Sequence, residues 1–253
     1  MEVVDKIATI FMKYVAVTLL FLMFSLSMPV SMSGQESDGF RNQLDCLSTQ
    51  WYGSSDLLVN GRPYRPEHPR ASGHPYFGED HFQKASVFIK GRKFEQVDLL
   101  YNVERDELIL KHQLTNKNRV QLKLTTALVD SFVLNGQVFV NNMYGPPTGG
   151  GQGYLKKLYK GQWQLYIRME KDFYPLYSNK NPYGRYGKTD LIYFLVDSNG
   201  KMEKVKNKRS LLKFFGENKK AVRRFMKKIS FRFKKASDIQ WYELMKFCET
   251  LEK

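Results

Sequence analysis

The chain has 253 residues, of which 42% are hydrophobic and 14% aromatic, and it carries a formal net charge of +15. This amount of apolar and aromatic side chain can bury a sizeable core, which excludes a wholly disordered chain. The sequence contains two cysteines, so the fold cannot depend on more than one intrachain disulfide bond.

The first 33 residues have the pattern of a secretory signal peptide. Two lysines precede an apolar run over residues 14–26, which is short for a membrane-spanning helix of roughly 20 residues. Ser31 and Ser33 place small side chains where signal peptidase requires them, which predicts cleavage after Ser33. We therefore expect an exported protein, periplasmic or extracellular, whose mature chain is soluble and has no further transmembrane segment. The alternative is an uncleaved N-terminal membrane anchor.

The two cysteines stand near the two ends of the mature chain, at Cys46 and Cys248. An oxidising compartment would permit a disulfide bond between them. Cys248 also shares a helical stripe with Trp241 and Leu244, so the alternative is a buried thiol that packs as a small hydrophobic side chain. Both interpretations remain open at this stage.

Glycine-containing turns divide the next part of the chain into strands. Three Asn-Gly pairs predict type I′ hairpins, in which both central residues adopt positive φ. These pairs are Asn60-Gly61, Asn135-Gly136 and Asn199-Gly200. Lys90-Gly91-Arg92 predicts a fourth hairpin.

Apolar residues alternate with polar ones between these turns, as at Val97, Leu99 and Tyr101. A period of two with one polar face predicts antiparallel strands that bury one side. The continuous apolar run over 191–196 predicts an internal strand covered on both faces. We therefore predict an α+β fold, mainly an antiparallel β-meander that forms a curved sheet or a partly closed barrel, with a C-terminal helical cap.

Helical periodicity is confined to the C-terminal part of the chain. Apolar residues recur on one face over 217–229. Ser237 and Gln240 then form a capping box for a last helix over 238–251. The predicted mature chain thus has three parts: a lead segment at 34–55, an antiparallel β domain at 56–207 and a basic helical segment at 208–253.

Positive charge is concentrated in and just before the predicted helical segment. Residues 201–235 hold 15 Lys and Arg against Glu203 and Glu217, and so carry +13 of the formal +15. A basic amphipathic helix beside aromatic side chains is suited to bind an anionic envelope component such as lipid or acidic glycan, whereas export argues against nucleic acid. The candidate residues are Lys219, Lys220, Arg223, Arg224, Lys227 and Lys228. The alternative is a solvated helix face over an ordinary core.

A long loop at 172–188 is rich in aromatic residues amid Gly, Pro and Asn. Tyrosine combines an apolar ring with a polar tip, so exposed tyrosines here are suited to contact a sugar or a protein partner. The candidates are Tyr174, Tyr177, Tyr183 and Tyr186. The alternative is that these rings fold back and hold the loop in place.

The sequence contains no catalytic or metal-binding motif that we recognise. His68, His74 and His81 cluster near acidic residues, but their spacing matches no metal site, so we predict no metal and no cofactor. A hydrolase would need two carboxylates that converge from separate strands. The candidates on or beside predicted strands are Asp98, Asp106, Asp130, Asp190 and Asp197. Carboxylates at turns more often accept backbone hydrogen bonds.

Three short segments form a further pattern: an Asn-Gly-x-x-Tyr turn at 60–64, the sequence Gly-His-Pro-Tyr-Phe at 73–77, and a strand end at Tyr101-Asn102. Together with the Phe-containing hairpin at 132–139, they resemble a group of uncharacterised secreted β-rich proteins of Bacteroidetes-type bacteria. The resemblance covers most of the chain from residue 56 and includes the Lys-rich C-terminal helices. It implies an envelope or extracellular location and assigns no activity. The chain departs from the group at Asn102, where we would expect aspartate.

Two functional hypotheses follow. The first, which we prefer, is a non-catalytic binding or envelope-associated protein. The second is a secreted, glycan-directed hydrolase with carboxylates on its strands. Two carboxylates that converge in a cleft would favour the hydrolase, and an exposed basic or apolar patch without such a pair would favour binding.

Overall fold

The computed structural model describes residues 56–114, 117–143 and 153–251. The predicted signal peptide at 1–33, the lead segment at 34–55 and Cys46 lie outside these residues. All described residues belong to one compact unit. That unit therefore contains both the predicted β domain and the predicted helical segment.

The described residues form thirteen strands and three α-helices. The strands are β1 (Arg62–Pro63), β2 (Gln83–Ile89), β3 (Arg92–Asn102), β4 (Glu107–Gln113), β5 (Arg119–Lys123), β6 (Val129–Leu134), β7 (Gln137–Asn141), β8 (Tyr154–Lys160), β9 (Gln164–Glu170), β10 (Phe173–Tyr174), β11 (Arg185–Tyr186), β12 (Asp190–Val196) and β13 (Met202–Val205). The helices are α1 (Lys208–Phe214), α2 (Lys219–Lys228) and α3 (Asp238–Thr250).

Eleven strands of the described chain form one open antiparallel sheet, in the order β1-β5-β4-β3-β2-β6-β7-β8-β9-β12-β13. One meander runs from β2 to β5 and another from β6 to β9, and antiparallel pairing of β2 with β6 joins them. β10 and β11 form a separate two-stranded ribbon. The predicted α+β class, a mainly antiparallel meander with C-terminal helices, is therefore confirmed. Its sheet is open rather than closed.

Type I′ hairpins form at two of the predicted positions. Asn135 and Gly136 have φ values of 53° and 69° and join β6 to β7, while Lys90 and Gly91, at 48° and 76°, join β2 to β3. Positive φ at both central residues matches the right-handed twist of the flanking strands. Both dipeptides therefore set the local strand register as predicted.

The β12–β13 hairpin also forms at Asn199-Gly200, but through a different turn. Within this pair only Gly200 has a positive φ, of 78°. The Asp197 carboxylate accepts the N–H of Asn199 over 2.9 Å and the N–H of Lys201 over 2.8 Å. This side-chain cap stabilises a longer turn than the predicted two-residue type.

The predicted hairpin at Asn60-Gly61 is wrong. The Asn60 side chain instead anchors the segment before β1, because its oxygen accepts the N–H of Thr125 over 3.0 Å and its NH₂ group donates to the Leu57 carbonyl. β1 lies so close to β5 that a Cβ at Gly61 would stand 2.0 Å from the carbonyl oxygen of Lys123. Gly61 is therefore needed because the backbone of β5 passes too close for a side chain at this position.

The helices complete a core with the second half of the sheet. Leu165 on β9 and Leu195 on β12 belong to the same buried cluster as Leu244 of α3. The Trp241 indole stacks on the ring of Tyr193, with 4.6 Å between centroids. Each fully buried large side chain contributes about 1.5–3 kcal/mol, so this contact makes a major contribution to the fold.

β12 is buried on both faces, as its apolar sequence predicts. Tyr193 and Leu195 belong to the core under the helices, whereas Phe194 and Val196 belong to a separate cluster. Because successive side chains of a strand point to opposite faces, the two clusters lie on opposite sides of the sheet. The first residue of the run, Leu191, is 47% exposed.

Capping boxes begin α1 and α3. The Asn207 side-chain oxygen accepts the N–H of Ser210 over 2.9 Å, and the Ser210 hydroxyl oxygen accepts the N–H of Asn207 over 3.0 Å. Ser237 and Gln240 form the equivalent box at α3, which confirms the predicted start of that helix. Each box satisfies two N–H groups that lack partners at a helix start.

Candidate functional site

A basic groove lies beside α1 and α2, with a volume of about 530 Å³. Its lining residues are Lys208, Arg209, Leu212, Lys213, Lys219 and Arg223. Five of these six side chains are cationic, and no carboxylate is among them. We call this surface the basic groove.

Helix packing determines which cations reach the groove. Leu211 of α1 and Val222 and Met226 of α2 are buried in the core, which fixes the rotation of each helix. Residues four apart lie on the same helix face, so Lys219 and Arg223 are neighbours along α2. The same spacing relates the two α1 residues Arg209 and Lys213.

The cations of the basic groove are exposed and have no acidic partner in the described part of the chain. Among the described residues, none of the five forms an ion pair within 4.0 Å. The first turn of α2 contains Lys219 and Lys220 and no acidic residue, although the N-terminus of a helix already carries partial positive charge. A bound anion would relieve both sources of repulsion.

The six predicted polyanion-binding residues are divided by the fold. Lys219 and Arg223 line the basic groove. Lys220, Arg224, Lys227 and Lys228 are exposed elsewhere on α2. The three α1 cations Lys208, Arg209 and Lys213 were not among the predicted residues, because only the packing of α1 beside α2 brings them to the same surface. The sequence did place these three residues within the charge cluster at 201–235, which was the one indication that they could contribute to a basic surface.

A second, polar pocket of about 320 Å³ lies where the extended segment 63–80 meets the β3–β4 turn. We call it the loop pocket. Its polar and aromatic lining includes Tyr64, Glu67, His68, His74, Tyr76, Asn102, Glu104, Arg105, Glu107, Lys123 and Tyr186. The three segments that carry the sequence resemblance, at 60–64, 73–77 and 101–102, therefore all contribute residues to one pocket.

Backbone hydrogen bonds attach the loop pocket to the sheet. Phe77 donates its N–H to the Tyr101 carbonyl, and Val103 donates to the Pro75 carbonyl, each over 2.9 Å. These bonds flank a bridge that places Tyr76 opposite the end of β3. The pocket wall is therefore held by the same type of contact as a strand pair.

Two tyrosines form a hydroxyl pair in the loop pocket. The oxygens of Tyr64 and Tyr76 are 3.0 Å apart. Burial, followed by the hydrogen bond to Tyr76, raises the pKa of Tyr64 far above its usual value. Tyr64 thus remains a neutral phenol that can both donate and accept. Asn102 is buried beside them, and its side-chain oxygen accepts the N–H of Arg105 over 3.2 Å.

Ion pairs engage three carboxylates of the loop pocket. Arg105 pairs with Glu67 and, through Nε over 3.4 Å, with Glu104. Lys123 pairs with Glu107 over 2.9 Å. Each of these three carboxylates therefore has a cationic partner within the pocket.

The strand-borne acids considered for a hydrolase serve local structure. The partners are Lys84 for Asp98, Tyr101 and Tyr154 for Asp106, Gly91 for Asp130, and Asn199 and Lys201 for Asp197. Asp190 is exposed at the start of β12. None of the five lines the basic groove or the loop pocket.

The aromatic loop at 172–188 separates into two parts. Tyr186 lines the loop pocket, next to His68 and Phe173, whose rings stack with 3.7 Å between centroids. The other predicted contact residues are exposed: Tyr174 by 39%, Tyr177 by 72% and Tyr183 by 50%. Of the four predicted tyrosines, Tyr186 therefore folds back against the protein. Tyr174, Tyr177 and Tyr183 are exposed, as a contact with a sugar or a partner would require.

The three clustered histidines have separate environments. His68 and His74 line the loop pocket, while His81 pairs with Glu79 over 3.2 Å. Burial and the nearby Lys171 lower the pKa of His74, which favours its neutral form. Across the described residues, no three His, Cys, Asp or Glu side chains are grouped so that they could hold a metal ion.

Helices of the described chain are all too short or too polar to cross a membrane. The basic groove and the loop pocket are the two candidate sites of the described chain. No family model, curated protein or solved structure matches the chain.

Proposed function

We propose that the protein is an exported, non-catalytic binding protein that holds an acidic glycan in the basic groove. The signal-peptide pattern of residues 1–33 supports export. The observation that carries the binding proposal is the convergence of five cations without a carboxylate. A linear polyanion presents several charges in succession, and so engages several of these cations at once.

The arrangement of cations in the basic groove suits a chain with repeated charges. The five cations come from two helices, α1 and α2, and line an open space of about 530 Å³. Leu212, the one apolar residue of the lining, is buried in the core with 6% exposure, so the cations form the accessible part of the lining. An acidic glycan offers the repeated negative charges that such a lining suits.

A hydrolase is less well supported. Each strand-borne acid considered for it is either engaged locally or exposed away from both pockets, as described above. The loop-pocket carboxylates Glu67, Glu104 and Glu107 are held in ion pairs. A binding role needs none of them to exchange a proton.

Charge-matched variants on a heparin column test the proposal. The groove variant replaces Lys208, Arg209, Lys219 and Arg223 with glutamine. The control variant replaces Lys220, Arg224, Lys227 and Lys228 with glutamine, so both lose four positive charges. We expect the groove variant to elute at clearly lower salt than the control, because exposed charge interactions are screened by salt and depend on position.

An equal shift in both variants would show attraction to net charge alone and would contradict a specific groove. Unchanged retention when all six predicted residues, Lys219, Lys220, Arg223, Arg224, Lys227 and Lys228, are neutralised would contradict polyanion binding by α2. Vesicles that contain anionic lipid provide the second arm. Binding to vesicles without binding to heparin would contradict an acidic glycan as the ligand.

A further inference from the structure

We propose that the loop pocket binds a small, uncharged saccharide of one or two sugar rings. This site is separate from the basic groove, and the inference does not depend on polyanion binding. A volume of about 320 Å³ lies at the lower end of the roughly 300–1,000 Å³ of small-molecule sites. That size fits a small ligand and not a folded or branched polymer.

The charge of the loop pocket favours an uncharged ligand. Its ionic lining consists of Glu67, Asp80, Glu104 and Glu107 against Arg65, Arg105 and Lys123. Arg105 already pairs with Glu67, and Lys123 with Glu107. A charged ligand would have to compete with these partly exposed pairs for the same side chains. A neutral ligand leaves them intact.

The polar groups of the loop pocket suit hydroxyl groups. In each ion pair a carboxylate oxygen that accepts lies next to N–H groups that donate. The Tyr64 and Tyr76 hydroxyls, 3.0 Å apart, add two groups that can do both. A sugar hydroxyl also donates and accepts, so adjacent hydroxyls on one ring match this alternation of donors and acceptors.

One side of the loop pocket is supported by aromatic rings. The His68 imidazole lies almost parallel to Phe173, with 5° between the ring planes. The Tyr186 ring is 6.4 Å from that of His68, between centroids. Aromatic rings offer apolar surface to the C–H face of a sugar while its hydroxyls bind polar groups. Because the rings support one another, little further ordering is needed on binding.

The backbone around the loop pocket is pre-organised. The N–H of Ser72 donates to the Gly184 carbonyl over 3.0 Å, and the N–H of Tyr186 donates to the Ser72 carbonyl over 2.9 Å. Prolines fix φ along the same segment; they are Pro63, Pro66, Pro69 and Pro75. A purely structural junction would need these segments only to pack together, whereas here they enclose open space.

Saturation-transfer difference NMR on the purified protein tests the inference. The probes are glucose, mannose, N-acetylglucosamine and cellobiose, each added separately. We expect at least one of them to receive saturation from the protein. Its dissociation constant, from titration, is then compared among variants. No transfer to any of the four sugars from folded protein would overturn the proposal.

Matched tyrosine variants locate the sugar. Tyr64→Phe removes a pocket hydroxyl and Tyr186→Ala removes a pocket ring; Tyr183→Phe and Tyr177→Ala make the same changes at exposed positions outside the pocket. We expect the pocket variants to weaken binding about tenfold, and the controls to stay within about twofold of wild type.

The more conservative change, Tyr64→Phe, keeps the ring packing, and thermal unfolding verifies that each variant is folded. Wild-type affinity in both pocket variants would overturn the proposal. So would a sugar whose binding is lost in the groove variant but retained in Tyr64→Phe and Tyr186→Ala, because that sugar would lie in the basic groove.

Discussion

The hydroxyl of Tyr101 donates a hydrogen bond of 2.7 Å to the carboxylate of Asp106. The same carboxylate accepts the N–H of Tyr154, with 3.1 Å to each oxygen. Asp106 thus ties the β3–β4 turn to the start of β8. Gly153 leaves room for this contact, since a Cβ there would stand 1.6 Å from the Asp106 carboxylate.

Replacing Asp106 with alanine should destabilise the fold by about 2–4 kcal/mol. The change leaves the buried hydroxyl of Tyr101 and the N–H of Tyr154 without their partner, at about 1–3 kcal/mol for each such group. Urea unfolding measures the loss. Asp98→Ala is the control, because its half-exposed pair with Lys84 contributes about 1 kcal/mol or less. Equal losses in the two variants would contradict a structural role for Asp106.

The stability contributed by Asp106 should fall as the pH rises. Burial raises the pKa of Asp106 above its ordinary 3.8, although the bonds from Tyr101 and Tyr154 partly oppose this. The folded state therefore binds the proton more tightly than the unfolded state. Relative to Asp106→Asn, wild type should lose stability from about pH 4 up to the raised pKa and then remain level. Urea unfolding of both proteins at a series of pH values gives this difference, and a difference that grows with pH would contradict the expectation.

Removing Asp238 should destabilise the fold more than removing its ion-pair partner Lys156. Lys156 on β8 is buried, whereas the Asp238 side chain at the start of α3 is 42% exposed, and 2.5 Å separates Nζ from Oδ2. Asp238→Ala leaves a buried ammonium without a partner and should cost about 1–3 kcal/mol, less than a fully buried pair because water screens one side. Lys156→Met keeps the apolar stem and leaves a carboxylate that water can solvate. Asp238→Ala should therefore unfold at a lower temperature than Lys156→Met. The reverse order of unfolding temperatures would contradict this prediction.

Deleting residues 208–253 should abolish the cooperative fold. The deletion uncovers the face of the sheet that carries Leu165 and Leu195, which the intact protein buries against Leu244 and its neighbours. An exposed apolar surface of this kind favours aggregation. Soluble yield and circular dichroism melting measure the effect. A shortened protein that melts cooperatively at the wild-type temperature would contradict the shared core.

Local patterns predicted much of the fold. Strand alternation, the hairpin at Asn135-Gly136 and the capping box at Ser237 depend on residues close together in sequence, so single segments specify them. The turn at Asn60-Gly61 was predicted wrongly because tertiary contact with β5 overrides its local preference. The turn type at Asn199-Gly200 was also not predicted, because the Asp197 side chain accepts two backbone N–H groups and stabilises a longer turn.

The candidate sites were less predictable. The basic charge cluster was visible in sequence, but not that α1 would lie beside α2 and complete the groove. The loop pocket was missed as a site because it depends on contacts far apart in sequence, such as the pair of Glu67 with Arg105, separated by 38 residues. The segments at 60–64, 73–77 and 101–102 had been noted as a pattern in the sequence, and each of them contributes residues to that pocket.

An amide NMR titration with a heparin-derived hexasaccharide tests whether the basic groove binds a polyanion. We predict salt-sensitive shifts concentrated at residues 208–223, around Lys208, Arg209, Lys213, Lys219 and Arg223. We also expect the amide of Tyr76, which reports on the loop pocket, to stay unperturbed. Shifts spread evenly over all exposed lysines, or no shifts at low salt, would contradict an anion-binding groove.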